Sequence, residues 1–268
     1  RMTYKTTFRF VCWIQQNIKI SGMSDPQNEF YSSISNYYSE IFPFKPVQLE
    51  FVKSQLEQLD GTKILDIGCA TGELSYHLAK EGAKVTGIDL NSDLIAQAKK
   101  SKKHPNLHFQ LGDMLKLTNN FPPKSFDAVL CFGNTLVHLL SVDRIREMLD
   151  GVNQVLKPRG KFLLQLLNYD YILNEKVVEL PLIETESIRF IRNYIFEENN
   201  PLVKFQTELV LKKERKSVRN ETPLLALRSE ELKNILSKTG FTNIELFSGF
   251  KKEPFGGKHL LLVVSAIK

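Results

Sequence analysis

From residue 46 onward the apolar positions switch repeatedly between two spacings. Val47, Phe51, Val52 and Leu59 fall near helical spacing and predict a helix over 46–60. The segments KILDIG (63–68), AKVTGIDL (83–90), LHFQLGD (107–113), FDAVLCFG (126–133) and KFLLQLLN (161–168) read as strands. Between them lie three helical patterns. GELSYHLAKEG (72–82) ends at Gly82, SDLIAQAKKSKKH (92–104) is capped by Ser92 or Asn91, and VDRIREMLDGVNQVLK (142–157) is stopped by Pro158. Apolar strands alternating with helices predict an α/β fold, a mostly parallel sheet with helices on both faces.

The alternation breaks at residues 171–228. There IRFIRNYIFEE (188–198) and VKFQTELVLKKERKSV (203–218) read as half-exposed strands joined at the Glu198–Pro201 turn. A helix then returns over 229–240, with Ser229 as cap and Gly240 as stop. Two last strands, within 241–250 and 258–268, flank a short loop holding Pro254, Gly256 and Gly257, which predicts antiparallel pairing. The expected organisation is an extension over 1–23, a core from 24–170 and 229–268, and a β-rich insertion over 171–228 after the fifth strand. The opening segment precedes a second methionine, Met23. Arg9 interrupts its apolar run and no small-residue cleavage site follows, so an upstream extension or appended helix is expected rather than a signal peptide.

Composition narrows the function classes. Of 268 residues 42% are hydrophobic and 25% charged, which excludes disorder over most of the chain. No apolar run reaches the ~18 residues of a membrane span, so no membrane association is expected. Three scattered cysteines, Cys12, Cys69 and Cys131, fit neither a disulfide framework nor a zinc site, and a reduced, cytoplasmic setting follows. The net charge of +6 is dispersed rather than striped. Its densest runs, Lys99–Lys103 and Lys212–Arg219, read as solvated faces before they read as a nucleic-acid surface.

The chemistry concentrates at strand ends. In Ile64-Leu65-Asp66-Ile67-Gly68-Cys69-Ala70-Thr71-Gly72 a strand runs into a glycine loop that opens a helix, the place where such sheets bind ligands. Glu73 in that turn would repel a pyrophosphate, which argues against a dinucleotide. Asp89 ends the second strand, where a carboxylate accepts ribose hydroxyls, and Asp113 ends the third, where one accepts from an adenine amino group. Together Gly68, Asp89 and Asp113 outline an adenosyl site without a phosphate-binding group.

These motifs, LDIGCATG, GIDL, GDM and FDAVLCFGN, resemble those of class I S-adenosylmethionine-dependent methyltransferases. The segments FDAVLCFGNTLVHL, NYDYIL and GFKKEPF resemble the glycine N-methyltransferase branch of small-molecule enzymes, and the tyrosine-rich stretch Tyr31–Tyr38 resembles that family's N-terminal lid. The resemblance implies a Rossmann-like seven-stranded sheet with an antiparallel last strand. It places Asp66, Gly68, Cys69, Ala70 and Gly72 along the methionine and ribose side of the cofactor. Asp89 and Leu90 then take the ribose and one adenine face, Asp113 and Met114 the adenine, and Cys131 and Phe132 lie beneath it. Tyr31 belongs to the lid, and Lys45 stands near the methionine carboxylate. S-adenosylmethionine, leaving as S-adenosylhomocysteine, is the implied cofactor, with no metal.

On the acceptor side the candidates are Tyr38, Asn134 and His138, the last as a base for an amine or hydroxyl. Two positions depart from the glycine-methylating pattern. Leu167 stands where those enzymes carry a carboxylate-gripping arginine, and Phe255 where they carry a tyrosine. A larger, less charged acceptor than glycine is therefore expected, unless a cation of the insertion such as Arg192 restores the pairing. RNA or another nucleic acid is a disfavoured substrate, because Gly133-Asn134-Thr135-Leu136 is not the Pro-Pro-aromatic loop that holds a flipped base. A protein that binds the cofactor without turnover is the other alternative. Oligomeric state is open on these grounds.

Overall fold

The central strands of the main sheet are apolar on both faces, and this drives the layered architecture. The computed structural model describes residues 26–268; the expected extension over 1–23 lies outside them. Strands β1 (Lys63–Ile67), β2 (Lys84–Asp89), β3 (Leu107–Leu111), β4 (Phe126–Cys131), β5 (Leu156–Leu167), β10 (Thr242–Phe247) and β11 (Leu261–Ile267) form a seven-stranded sheet in the order β10-β11-β5-β4-β1-β2-β3. Only β11 runs against its neighbours. The strand order reverses between β1 and β4, and the carboxyl ends on either side of that crevice carry the ligand-facing loops.

Alternate side chains of each strand enter two separate cores. On one face Leu65, Val129, Phe162, Leu164 and Val264 pack with helices α7 (Val142–Val155) and α9 (Ser229–Lys238). On the other, Ile64, Ala128, Leu130, Leu163 and Val263 pack with α3 (Pro46–Gln55) and α4 (Glu73–Lys80). Helix α5 (Ser92–Ser101) covers β2 and β3. Its cap is Asn91, whose side chain accepts from Asp93 N at 3.1 Å and Leu94 N at 3.0 Å.

Residues 183–225 make a second, antiparallel sheet of β6 (Ile183–Glu184), β7 (Ile188–Phe196), β8 (Leu202–Leu211) and β9 (Lys216–Leu225). Its apolar face is covered in part by α1 (Pro26–Ile34) and the short α2 (Tyr38–Ile41), through Phe30, Ile34, Ile41, Ile188, Phe190 and Leu209. No helix of the described residues is long and apolar enough to cross a membrane.

Four local expectations are corrected. The helix from Pro46 stops at Gln55, not residue 60. Helix α7 ends at Val155, and Pro158 lies in a bulge at the start of β5, where the pairing with β4 jumps from Phe126↔Leu156 to Ala128↔Lys161. The run 203–218 is not one strand: it folds back between β8 and β9, where Arg215 takes φ 53°. Ser229 is not the cap of α9; Asp170 of α8 (Tyr169–Asn174) accepts from Ser229 N at 3.0 Å and pairs with Arg228 at 3.2 Å.

Candidate active site

The loop after β1 is built so that bare backbone faces a cavity. Gly68 has φ 70° and Gly72 φ 76°, the left-handed region that glycine enters without steric cost. A Cβ on Gly68 would stand 2.6 Å from Thr135 Cγ2, and one on Gly72 would stand 2.2 Å from the Phe109 ring. Ala70 adopts φ 49°, a strained conformation for a residue with a Cβ. Its N–H is tied to Asp89 Oδ2 at 3.0 Å, while Asp89 Oδ1 accepts from Asn91 N at 2.9 Å. One carboxylate therefore sets both the glycine loop and the start of α5. Burial raises the Asp89 pKa, and the backbone donors Asn91, Ala70 and Leu90 oppose that rise.

The cavity has a volume of about 370 Å³. Of the residues singled out in the sequence, it brings together Tyr31, Tyr38, Gly68, Ala70, Asp89, Leu90, Asp113, Met114 and His138. Leu90 is 49% exposed, unusual for a leucine, and its side chain forms part of the wall. Asp113 Oδ1 accepts from Leu115 N at 2.9 Å, closing the turn after β3.

At another wall Tyr31 Oη lies 2.9 Å from His138 Nε2. His138 is 9% exposed, and burial lowers its pKa to about 4, so the ring is neutral at pH 7. Its Nδ1 is buried and has no partner. Burial raises the phenols of Tyr31 and Tyr38, which stay protonated.

Other expected residues do not line the cavity. Asp66 is buried, accepts from Ser75 Oγ at 2.5 Å, and has its pKa raised by burial to about 7. Gly72 supports the loop against Phe109 rather than facing the cavity. Cys69 packs with Ile95 and Phe109, Cys131 with the α7 core, and Phe132 with Phe51 and Phe250. Alternation along β4 explains the Cys131 placement, since a residue flanked by two core layers points into one of them. Lys45 is exposed at the start of α3. Asn134 is spent on structure: its Oδ1 accepts from Leu167 N at 3.0 Å and its Nδ2 donates to Tyr169 Oη at 3.2 Å.

Several residues that line or brace the cavity carried no sequence signal. Asn28 and Ser32 accept from Asn91 Nδ2 at 2.7 Å and 3.0 Å and so moor α1 beside the cavity. Ser39 and Thr71 join their hydroxyls at 3.0 Å, tying α2 to the glycine loop. Gln27, Thr135 and Arg144 complete parts of the wall. These are contacts between elements far apart in sequence, which no local pattern announces. Glu73, beside the loop, is paired with Lys102 at 2.8 Å.

Residues 64–160, from β1 into β5, match the methyltransferase domain family. Over that segment the chain carries a methyltransferase domain. The chain is 34% identical over 128 residues to a ubiquinone biosynthesis O-methyltransferase of Coxiella burnetii, covering 47% of this chain and 52% of that protein. The chain spans about half the length of the curated relatives it matches. In fold it is similar to the CcbJ methyltransferase of Streptomyces caelestis, at TM-score 0.73 and 19% identity over 87% of this chain and 95% of that one. It is also similar to S-adenosylmethionine-bound CalS10, an amino pentose methyltransferase from Micromonospora echinaspora. There the TM-score is 0.60 and the identity 16%, over 99% of each chain. The matched methyltransferase segment supplies Asp89, Asp113 and His138 of the cavity wall, whereas Tyr31, Tyr38 and the second sheet lie outside it.

Proposed function

We propose that the protein transfers a methyl group from S-adenosylmethionine to an amine or hydroxyl of a small-molecule acceptor. The observation that carries this reading is a single cavity with Asp89 and Asp113 on one side and the buried Tyr31–His138 pair on another. A volume of about 370 Å³ suits a small molecule. The names of the O-methyltransferase and amino pentose methyltransferase relatives, and the glycine N-methyltransferase resemblance, support the same class of acceptor.

S-adenosylmethionine supplies a methyl group already activated on a sulfonium, which the acceptor's lone pair displaces in line to leave S-adenosylhomocysteine. The chain's part is to bind, align and exclude water. Asp89 uses one lone pair of each oxygen on backbone N–H groups and offers the others to ribose hydroxyls. Asp113 offers its free lone pairs to an adenine amino group, between the apolar side chains of Leu90 and Met114. His138, neutral and held by Tyr31, lends its ring to the wall that the acceptor packs against. With a pKa of about 4 it orients the acceptor more than it removes its proton.

Calorimetry with S-adenosylhomocysteine, followed by labelled methyl transfer to a panel of amines, phenols and hydroxy acids, tests the reading. Cofactor binding and label in at least one small acceptor are expected. No binding would overturn the cofactor assignment. Binding without transfer to any acceptor would favour a non-catalytic binder, and transfer to RNA in preference to the panel would overturn the acceptor class.

A further inference from the structure

Asn91 lines the cavity between Asp89 and helix α1, and all four of its polar atoms are engaged. It is buried, and its backbone N donates to Asp89 Oδ1 at 2.9 Å. Its Oδ1 accepts from Asp93 N and Leu94 N, and its carbonyl accepts from Ile95 N, so it starts α5. A backbone N–H can only donate, so the side-chain atom facing those amides is the oxygen, and the NH2 group points the other way. That group donates across to α1: to Asn28 Oδ1 at 2.7 Å, Ser32 Oγ at 3.0 Å and Asn28 O at 3.2 Å. A helix cap needs only the oxygen, which aspartate or serine would supply equally well. The amide nitrogen serves α1, not α5.

The same stripe of α1 carries Tyr31. Asn28, Tyr31 and Ser32 are spaced i, i+3 and i+4 and so lie on one side of the helix. Phe30 and Ile34 pack instead into the second sheet, with Ile188, Phe190 and Leu209. The polar stripe meets the main-sheet half of the chain at Asn91 and at His138, whose Nε2 is 2.9 Å from Tyr31 Oη. Helix α1 is thus held by apolar burial on one side and by hydrogen bonds on the other. Water can replace hydrogen bonds at small net cost but cannot replace apolar burial, so the polar side is the one that lets go.

We propose that Asn91 is a positioning residue that couples occupancy of the cofactor site to the Tyr31–His138 wall. A ribose on Asp89 fixes that carboxylate and with it the Asn91 backbone, Asn91 fixes α1, and α1 sets Tyr31 against His138. The inference rests on the methyl-transfer reading, because the ribose is the cofactor's. Coupling is reciprocal: a docked α1 strengthens cofactor binding by the same factor by which the cofactor strengthens docking. The wall against which the acceptor packs is thereby held most firmly when the methyl donor is seated.

The test is amide hydrogen exchange of the whole protein, with and without saturating S-adenosylhomocysteine, read over α1 and α5. Asn91→Asp keeps the cap oxygen and removes the N–H groups given to Asn28. The double variant Asn28→Ala/Ser32→Ala removes the side-chain acceptors and leaves Asn91 in place. In the wild type the ligand should slow exchange in α1 by about fivefold or more, and in both variants by less than about twofold. Ligand affinity should fall by the factor lost, about fivefold, while α5 of the unliganded variants exchanges as in the wild type. A merely structural Asn91 would change the unliganded protein and leave the ligand-induced slowing of α1 intact. Equal slowing in the wild type and the double variant, or none in a wild type that binds the ligand, would overturn the coupling and leave the methyl-transfer reading standing. A wild type that does not bind S-adenosylhomocysteine would overturn both. If α5 loosens in Asn91→Asp, the double variant alone decides.

Discussion

Tyr31 and His138 are 107 residues apart in sequence, and the Tyr31 hydroxyl rests 2.9 Å from His138 Nε2. Helix α1 is thereby coupled to the turn after β4, and each partner removes the other's polar group from competition with water. Tyr31→Phe should leave Nε2 unpaired in a buried site, at about 1–3 kcal/mol of stability. Chemical denaturation of the variant against the wild type checks this, and an unchanged midpoint would show that the contact carries no net energy.

Two buried groups titrate in opposite senses. His138 has a native pKa of about 4, below the ordinary histidine value of 6.5, so the unfolded chain binds more protons between those values and stability falls on acidification from pH 6.5 to 4. Asp66 has a native pKa of about 7, above the ordinary aspartate value of 3.8, so the native chain binds more protons and stability rises as pH falls from 7 to 3.8. Relative to wild type, His138→Gln should grow more stable toward pH 4, and Asp66→Asn should lose stability more steeply. Denaturant midpoints at pH 4, 5.5 and 7 read both slopes; parallel profiles for all three proteins would contradict the two shifts.

Asp89 holds Ala70 N and Asn91 N while facing the cavity. Asp89→Ala should lower S-adenosylhomocysteine affinity by about tenfold to about ten-thousandfold, from one or two charge-assisted hydrogen bonds of about 1.5–3 kcal/mol each. It should also lower the melting temperature without ligand. Calorimetry separates the two effects, and undiminished affinity would remove Asp89 from the ribose site.

Gly68→Ala combines a φ of 70° with a Cβ 2.6 Å from Thr135 Cγ2. Adding Thr135→Ala should relieve the clashes with Cγ2 at 2.6 Å and Oγ1 at 2.7 Å but not the backbone strain of about 1–2 kcal/mol. The double variant should therefore recover part of the stability lost by Gly68→Ala. Full recovery would show that strain at this position is absent.

Asn134 bridges Leu167 N and Tyr169 Oη. Asn134→Ala should cost about 1–3 kcal/mol of stability through those two groups, with S-adenosylhomocysteine affinity within about twofold of wild type. A large loss of cofactor affinity with stability intact would return this residue to the ligand.

The strand ends and the glycine loop were legible in the sequence because they are local. Apolar runs of period two, a cap such as Asn91 and glycines at positive φ depend on neighbours a few residues away. Asp89 and Asp113 follow from their places at the ends of β2 and β3. Side-chain direction was less accessible: Asp66, Cys69, Cys131 and Phe132 sit in the expected segments, yet burial among core layers turns them from the cavity. The fold-back between Lys212 and Lys216 falls in a purely charged run without Gly, Pro or Asn to mark a turn.

By itself the sequence determined an α/β sheet with an adenosyl-shaped row of carboxylates and glycines, since each of those features is a property of one strand and the turn after it. Only the tertiary structure decided the cavity's other wall. Tyr31 and His138 come from separate elements 107 residues apart, and their contact forms only when α1 packs beside the turn after β4 and excludes the water that would otherwise satisfy them.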